Sequence, residues 1–166
     1  MGLLDDLASV VGPAQVLQGA AMRRYADDWM GKNHGAPLAV VRPADTAQVA
    51  ACVRLAAAAG VAVVPVSGNT GLVGGTMTEG GLMISLERMN RIRALRPDAR
   101  LVVAEAGVIL QTIHEAAETQ GLYFPLWFGA RGSAQLGGAL STNAGGSNVL
   151  RYGSTRGLCL GIEVVL

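Results

Sequence analysis

An α+β fold is predicted for this chain of 166 residues, and three observations predict it. Between Leu38 and Val66 the apolar pattern runs strand, helix, strand with short links, which reads as a βαβ unit with parallel strands. Beyond Val66 come further short apolar runs with only one long helical pattern among them, so a sheet doubly wound by helices is not expected. Composition is the third observation. Glycine numbers 23 in 166 residues, about twice the usual ~7%. Charged residues make up 15% and hydrophobic ones 51%, which excludes a disordered chain and a charge-rich helical bundle.

Each element has a local reason. Leu3, Leu4, Leu7, Val10 and Val11 recur at helical spacing, and Gly12-Pro13 ends that run. From Ala14 to Gly35 the periodicity fails, which predicts an irregular lead-in plugged onto the core by Tyr25 and Trp29. Leu38–Val41 is a strand. Pro43-Ala-Asp-Thr carries a helix cap ahead of Ala47–Ala59, with Val49, Cys52, Val53 and Ala56 on one face. Gly60 stops that helix and Val61–Val66 is the second strand. Leu82–Leu86 and Leu101–Ala106 are the next strands, joined by a turn-rich link through Arg96-Pro97-Asp98. A helix is predicted over Val108–Gln120, with Val108, Ile109, Ile113, Ala116 and Ala117 buried. Leu122-Tyr-Phe-Pro extends briefly, Ser133 caps a short glycine-bearing helix, and Leu160–Leu166 reads as a buried strand. An apolar run closing the sequence gives the expectation of a truncated domain. The expected division is 1–37, helix and lead-in, and 38–166, one incomplete domain.

Charge and hydropathy narrow the function classes. With 13 Lys and Arg against 12 Asp and Glu the net charge is +1, so the basic surplus of a nucleic-acid binder is missing. The longest apolar stretch, Leu55–Val66, is interrupted by Gly60 and Pro65 and falls short of the ~20 residues that span a bilayer. The opening Met-Gly-Leu-Leu-Asp-Asp lacks a basic signal region, and the chain is expected to be cytoplasmic. Cys52 and Cys159 stand far apart without a CxxC pair, so they are expected to be buried free thiols, with no metal site.

Two constellations carry potential chemistry. Pro65-Val-Ser-Gly-Asn-Thr-Gly-Leu-Val-Gly-Gly75 follows a buried strand directly. Glycines there permit positive φ and convergent backbone N–H groups, which is how a loop cradles a phosphate, and Asn69 and Thr70 are possible side-chain donors. Neither G-x-G-x-x-G nor a lysine-bearing P-loop fits these residues, so a structural turn is an equal reading. The second constellation runs from Pro125 to Gly146, with Ser133, the Gly137-Gly138 pair and Asn143-Ala-Gly-Gly146. Its alternatives are a ligand lying close against a helix, or tight helix–sheet packing through the paired glycines. His114, His34 and Glu105 read as solvated or capping groups, and Arg88, Arg91, Arg93, Arg96 and Arg100 as a solvated edge.

Taken in order, Ala39-Val-Val-Arg-Pro43, Pro65 to Gly75, Phe124-Pro125, Gly129-Ala130, Gly132-Ser133, Leu136-Gly-Gly138, Thr142-Asn-Ala-Gly-Gly146, Arg151-Tyr-Gly153 and Leu160-Gly-Ile-Glu-Val-Val165 form a specific series. From Leu38 onward the chain resembles the FAD-binding domain of the FAD-linked oxidases of the vanillyl-alcohol oxidase and para-cresol methylhydroxylase type. Within that family it looks most like the D-2-hydroxyglutarate, D-lactate and glycolate dehydrogenase branch. Asp28-Trp29 extends the likeness to the lead-in.

The resemblance implies FAD held by two α+β subdomains. It assigns the pyrophosphate to Ser67, Gly68, Asn69, Thr70 and Gly71. Pro125, Gly132, Ser133, Gly137, Gly138, Ser141, Asn143 and Gly146 would line the ribityl and isoalloxazine region, with Ile162 near the adenosine. Some relatives anchor FAD through a loop histidine. Neither constellation here contains His or Cys, so a non-covalent flavin is implied. Leu126-Trp-Phe128 stands where relatives often carry Leu-Asp-Leu.

The implied function is oxidation of a D-2-hydroxy acid by hydride transfer to flavin N5, with a small-molecule substrate and an unspecified electron acceptor. The other readings are a non-catalytic FAD-binding or assembly module completed by another chain, and a sugar-nucleotide reductase of the same fold. No catalytic base or substrate-carboxylate clamp is evident and both are expected elsewhere in the parent protein. The isolated chain is expected to bind FAD weakly or not at all, to lack turnover, and to self-associate as a homo-oligomer.

Overall fold

The computed structural model describes residues 2–166. Two compact units are present among the described residues, 2–88 with Val165–Leu166, and Met89–Val164.

The first unit opens with helix α1, Leu3–Val11, which buries Leu7 and Val11 and ends at Gly12 in a φ of 89°. The lead-in is more ordered than expected. It contains a two-residue strand β1, Val16–Leu17, and a one-turn helix α2, Arg23–Ala26. Strand β2, Ala39–Val41, leads to helix α3, Thr46–Ala58, whose N-cap Asp45 accepts a hydrogen bond from Gln48 N. After Gly60, at φ 67°, come strands β3, Val63–Val66, and β4, Leu82–Ser85. The sheet order is β1-β2-β4-β3. β2 and β3 are parallel as the βαβ pattern required, but β4 lies between them and pairs in parallel with both.

Register explains the core. Ala39 faces Leu82 and Val41 faces Ile84, and the period of two sends all four to one side, where they pack with Leu7, Val11, Cys52 and Ala56. Val40 and Met83 point to the other side and meet Tyr25 and Val66. Tyr25 thus plugs onto the core as expected. Trp29 does not: it is 73% exposed, in the turn that Gly31 N closes by donating to Asp28 O. Burial pushes the Cys52 thiol up to about 11, so it stays protonated at neutral pH.

The second unit begins with an antiparallel hairpin of β5, Ile92–Arg96, and β6, Leu101–Ala104. The residues expected to be a mere link therefore form a strand. The turn at Pro97–Arg100 is closed by an Arg100 N to Pro97 O bond, with Arg100 at φ 50°. Helix α4, Leu110–Glu118, starts later than expected. Ile109 is its extended N-cap and partly exposed, while Leu110 takes the buried place. Helices α5, Leu136–Ser141, and α6, Val149–Tyr152, follow. Val108, Leu110, Ile113, Leu126, Ala134 and Ala139 form the core of this unit. The expected strand Leu160–Leu166 does not form. Leu160, Ile162 and Leu166 are exposed, and among the described residues no strand pairs with this segment. Cys159 is half-buried rather than buried.

Glu105 corrects another expectation. Its side chain is buried, bonded by Arg91 Nη2 at 2.8 Å and Nε at 3.2 Å, by Arg91 N at 2.9 Å and by Arg93 Nε at 3.3 Å. Arg91 and Arg93 are thus the clamp of a buried carboxylate, not simply a solvated edge. The Arg91 hydrogen bonds, more than any other contact, hold the Glu105 carboxyl at about 2, below its ordinary 4.5. A depressed folded-state pKa stabilises above the unfolded value, and the contribution fades as pH falls from about 4.5 toward 2. Glu105→Gln is expected to cost on the order of 2 kcal/mol near neutral pH, with the gap to wild type narrowing in acid. Urea unfolding near neutrality and near pH 3 measures it. A gap that does not change with pH contradicts this account.

Candidate functional site

The loop after β3 is the first candidate. Ser67, Gly68, Asn69 and Thr70 are half-buried and Gly71 is exposed. Among the described residues, none of the backbone N–H groups from Gly68 to Gly75 donates a hydrogen bond. A run of unbonded amide donors at the end of a buried strand is a ready anion cradle. Its backbone differs in detail from the expectation. The left-handed positions are Asn69 at φ 50° and Gly74 at φ 66°, not Gly71. Asn69 tolerates that conformation because its amide is tied at both ends. Nδ2 donates to Asp27 O at 2.7 Å, and Oδ1 accepts from Thr76 Oγ1 at 2.9 Å. The Asn69 side chain is therefore a brace for the loop and not a free donor. A Cβ on Gly71 or Gly75 would meet nothing within 4 Å, so open space lies over the loop. One on Gly74 would sit 3.0 Å from Asn33 Cγ.

Beside this loop lies an open pocket of about 470 Å³ lined by Arg23, Arg24, Asp27, Asp28, Trp29, Gly68 and Asn69. Residues 23–29 have no periodicity in the sequence and so offer no face by which to place them. A latch fixes them. Glu87 accepts from Arg24 Nη2 at 2.7 and 2.8 Å, from Tyr25 Oη at 3.0 Å and from Arg42 Nη1 at 3.1 Å. Arg24 also bonds the Tyr25 hydroxyl.

The remaining predicted residues lie in the second unit. Gly132 ends the single helical turn Gly129–Gly132, Ser133 is its C-cap, and Ser133 Oγ donates to Ala130 O at 3.4 Å. Ser133 does not cap α5; Gln135 holds the N-cap position without a side-chain bond. Gly137 and Gly138 open α5, and Ser141 Oγ donates back to Gly137 O at 2.8 Å. A Cβ on Gly137 would stand 2.8 Å from the Ala106 Cβ, and one on Gly146 would be driven into the Trp127 carbonyl. Both glycines therefore have packing roles of the kind the sequence left open. Asn143, at φ 51°, accepts at Oδ1 from Arg156 N at 3.1 Å. Pro125 O accepts from Asn148 Nδ2 at 3.2 Å. Ile162 is exposed in the irregular tail.

His114 corrects the expectation of a solvated group. It is 1% exposed among the rings of Phe124 and Trp127, and its Nε2–H donates to Leu126 O at 2.9 Å. Burial lowers its pKa, so the neutral imidazole pins residues 124–127 to α4. Arg131 lies over the Trp127 ring, 3.8 Å from its centroid. Among the described residues no group of three His, Cys, Asp or Glu is placed to hold a metal ion, and no helix is long and apolar enough to cross a membrane.

Residues 37–166 match the family described as FAD binding domain. The chain belongs to that family. The chain is 44% identical over 147 residues to a D-2-hydroxyglutarate dehydrogenase of Xanthomonas citri pv. viticola, covering 88% of this chain and 31% of the relative. It is 40% identical over 165 residues to a protein of the same name in Stutzerimonas stutzeri, covering 98% and 36%. A mitochondrial D-2-hydroxyglutarate dehydrogenase of Bos taurus is 38% identical over 166 residues, covering 98% and 30%. The chain thus spans about a third of the length of these relatives. Among solved structures it superposes on alkyldihydroxyacetonephosphate synthase with a TM-score of 0.80 at 20% identity, covering 92% of this chain and 33% of that one. On p-cresol methylhydroxylase the TM-score is 0.72 at 21% identity, covering 86% and 29%. These two share its fold, the α+β fold expected from the sequence.

Proposed function

We propose that this chain supplies FAD-binding residues to a flavoprotein dehydrogenase that oxidises a D-2-hydroxy acid. The observation that carries the cofactor half of the reading is the run of unbonded amide N–H groups from Gly68 to Gly75, with open space above it. Ser67, Gly68, Asn69, Thr70 and Gly71 hold the pyrophosphate, chiefly through main-chain donors that stabilise negative charge without a lysine. The family resemblance assigns Pro125, Gly132, Ser133, Gly137, Gly138, Ser141, Asn143 and Gly146 to the ribityl and ring end of the flavin, and Ile162 to its adenosine end. His114 and Gly146 act there by fixing the loop backbone. With neither His nor Cys in residues 65–75 or 125–146, the flavin is held non-covalently. When bound, FAD would supply the electron-accepting centre, with N5 as the hydride acceptor for oxidation at the substrate Cα. Support for the substrate class is the name shared by relatives at 38–44% identity.

Anaerobic addition of D-2-hydroxyglutarate and of D-lactate to the full-length, flavin-loaded polypeptide tests both halves. Bleaching of the flavin band by a D-2-hydroxy acid and not by its L-enantiomer is expected, followed by release of free FAD on acid denaturation. A flavin that no D-2-hydroxy acid reduces contradicts the substrate class. A flavin that precipitates with the protein contradicts non-covalent binding.

A further inference from the structure

The pocket beside the first loop carries an inference that rests on the FAD reading and extends it into residues outside the matched family region. Three of its features call for one ligand chemistry. Trp29 offers a large aromatic face, 73% exposed, although an indole normally buries its ring. Arg23 is exposed, and its guanidinium makes no hydrogen bond or ion pair among the described residues. Its neighbour Arg24 is by contrast committed to Glu87. Gly68 and Asn69, which begin the run of unbonded N–H groups, also line the pocket.

Both carboxylates of the pocket are held by partners, although Asp28 keeps its charge because its donors are uncharged. Asp27 Oδ1 is paired with His34 Nδ1 at 2.8 Å, and Asp28 accepts from Lys32 N at 2.8 Å and Asn33 Nδ2 at 2.6 Å. The wall is also tied to the loop, through the Asn69 amide on Asp27 O. A flat π-face, a free guanidinium and clustered amide donors on one concave surface are the complement of a nucleotide, with its base on the ring and its phosphates on the cation and amides.

We infer that Trp29 and Arg23 are cofactor-contact residues for the ADP half of FAD, with Trp29 stacking on the adenine and Arg23 pairing with the pyrophosphate. The lead-in is then part of the cofactor site. An aromatic wall would select a dinucleotide flavin over one lacking the adenosine.

The test is titration calorimetry on the full-length apoprotein with FAD and with ADP as probes, comparing wild type with Trp29→Ala, Trp29→Phe, Arg23→Gln and the α3 surface control Arg54→Gln. Trp29→Ala is expected to weaken both probes by about tenfold, as loss of one base-stacking contact does, while Trp29→Phe retains most of the affinity. Arg23→Gln is expected to weaken both and to flatten the salt dependence. Both side chains are exposed, so far-UV circular dichroism should be unchanged in every variant. Wild-type protein that binds neither probe overturns the FAD reading together with this inference. FAD bound equally by wild type, Trp29→Ala and Arg23→Gln overturns this inference alone. So does a loss confined to FAD with ADP binding intact, because the contact would then not lie on the adenosine side.

Discussion

Gly71→Val in the full-length polypeptide is expected to lower FAD affinity by at least about 100-fold, or ~2.7 kcal/mol, without lowering its melting temperature by more than about 2 °C. The effect follows from where the new atoms go. Gly71 does not adopt a left-handed φ, and a Cβ there meets no heavy atom within 4 Å. The fold therefore accepts valine without strain. The isopropyl group instead fills the space over the N–H groups of Gly68 to Gly75, where the phosphates must approach. Gly74→Val provides the contrast. At φ 66° and with Asn33 Cγ 3.0 Å from the added Cβ, it should lower stability as well as affinity. Flavin content and thermal melts of the two variants separate the effects. Undiminished FAD affinity in Gly71→Val contradicts the placement.

The other large effect is on stability. Gly146→Ala is expected to destabilise the protein by about 3 kcal/mol, the upper range for overpacking, because its Cβ would press on the Trp127 carbonyl group and stand 2.8 Å from the carbonyl carbon. Both atoms are backbone, so no rotamer change relieves the clash. The same carbonyl oxygen accepts from Ser147 N at 3.0 Å, and retreat would strain that bond. Gly145→Ala is the internal control. Its Cβ would lie 3.8 Å from Val149 Cγ2, an ordinary contact, and its cost should stay within about 0.5 kcal/mol. Urea unfolding of both variants measures the difference, and equal midpoints contradict the packing described here.

The α+β fold was legible because α1, α3 and the parallel strands β2 and β3 each carry a local signal: helical spacing, the Asp45 cap, short apolar runs and the Gly60 stop. What was illegible depended on partners distant in sequence. Ile92–Arg96 reads as a polar link because Arg93 and Arg96 within it and Arg91 beside it dominate the composition, and only pairing with Leu101–Ala104 makes it a strand. Glu105 and His114 look like solvated groups until Arg91 and the Leu126 carbonyl are seen to satisfy them. Leu160–Leu166 shows the reverse error, for an apolar run is not a strand without a ladder to join. At the candidate site the glycine loop was visible from its composition. Its real left-handed positions and its wall of Arg23 and Trp29 were not, since both depend on how Asn69 ties the loop to Asp27.

The central claim is that main-chain amides of the loop after β3 hold the FAD pyrophosphate, and hydrogen exchange on the full-length polypeptide tests it most directly. Amides from Gly68 to Gly75, unbonded within the described residues, should exchange freely without flavin and be slowed when FAD is bound, whereas the amides of α3 should not change. Exchange through this segment that is equally fast with and without bound FAD would contradict the account.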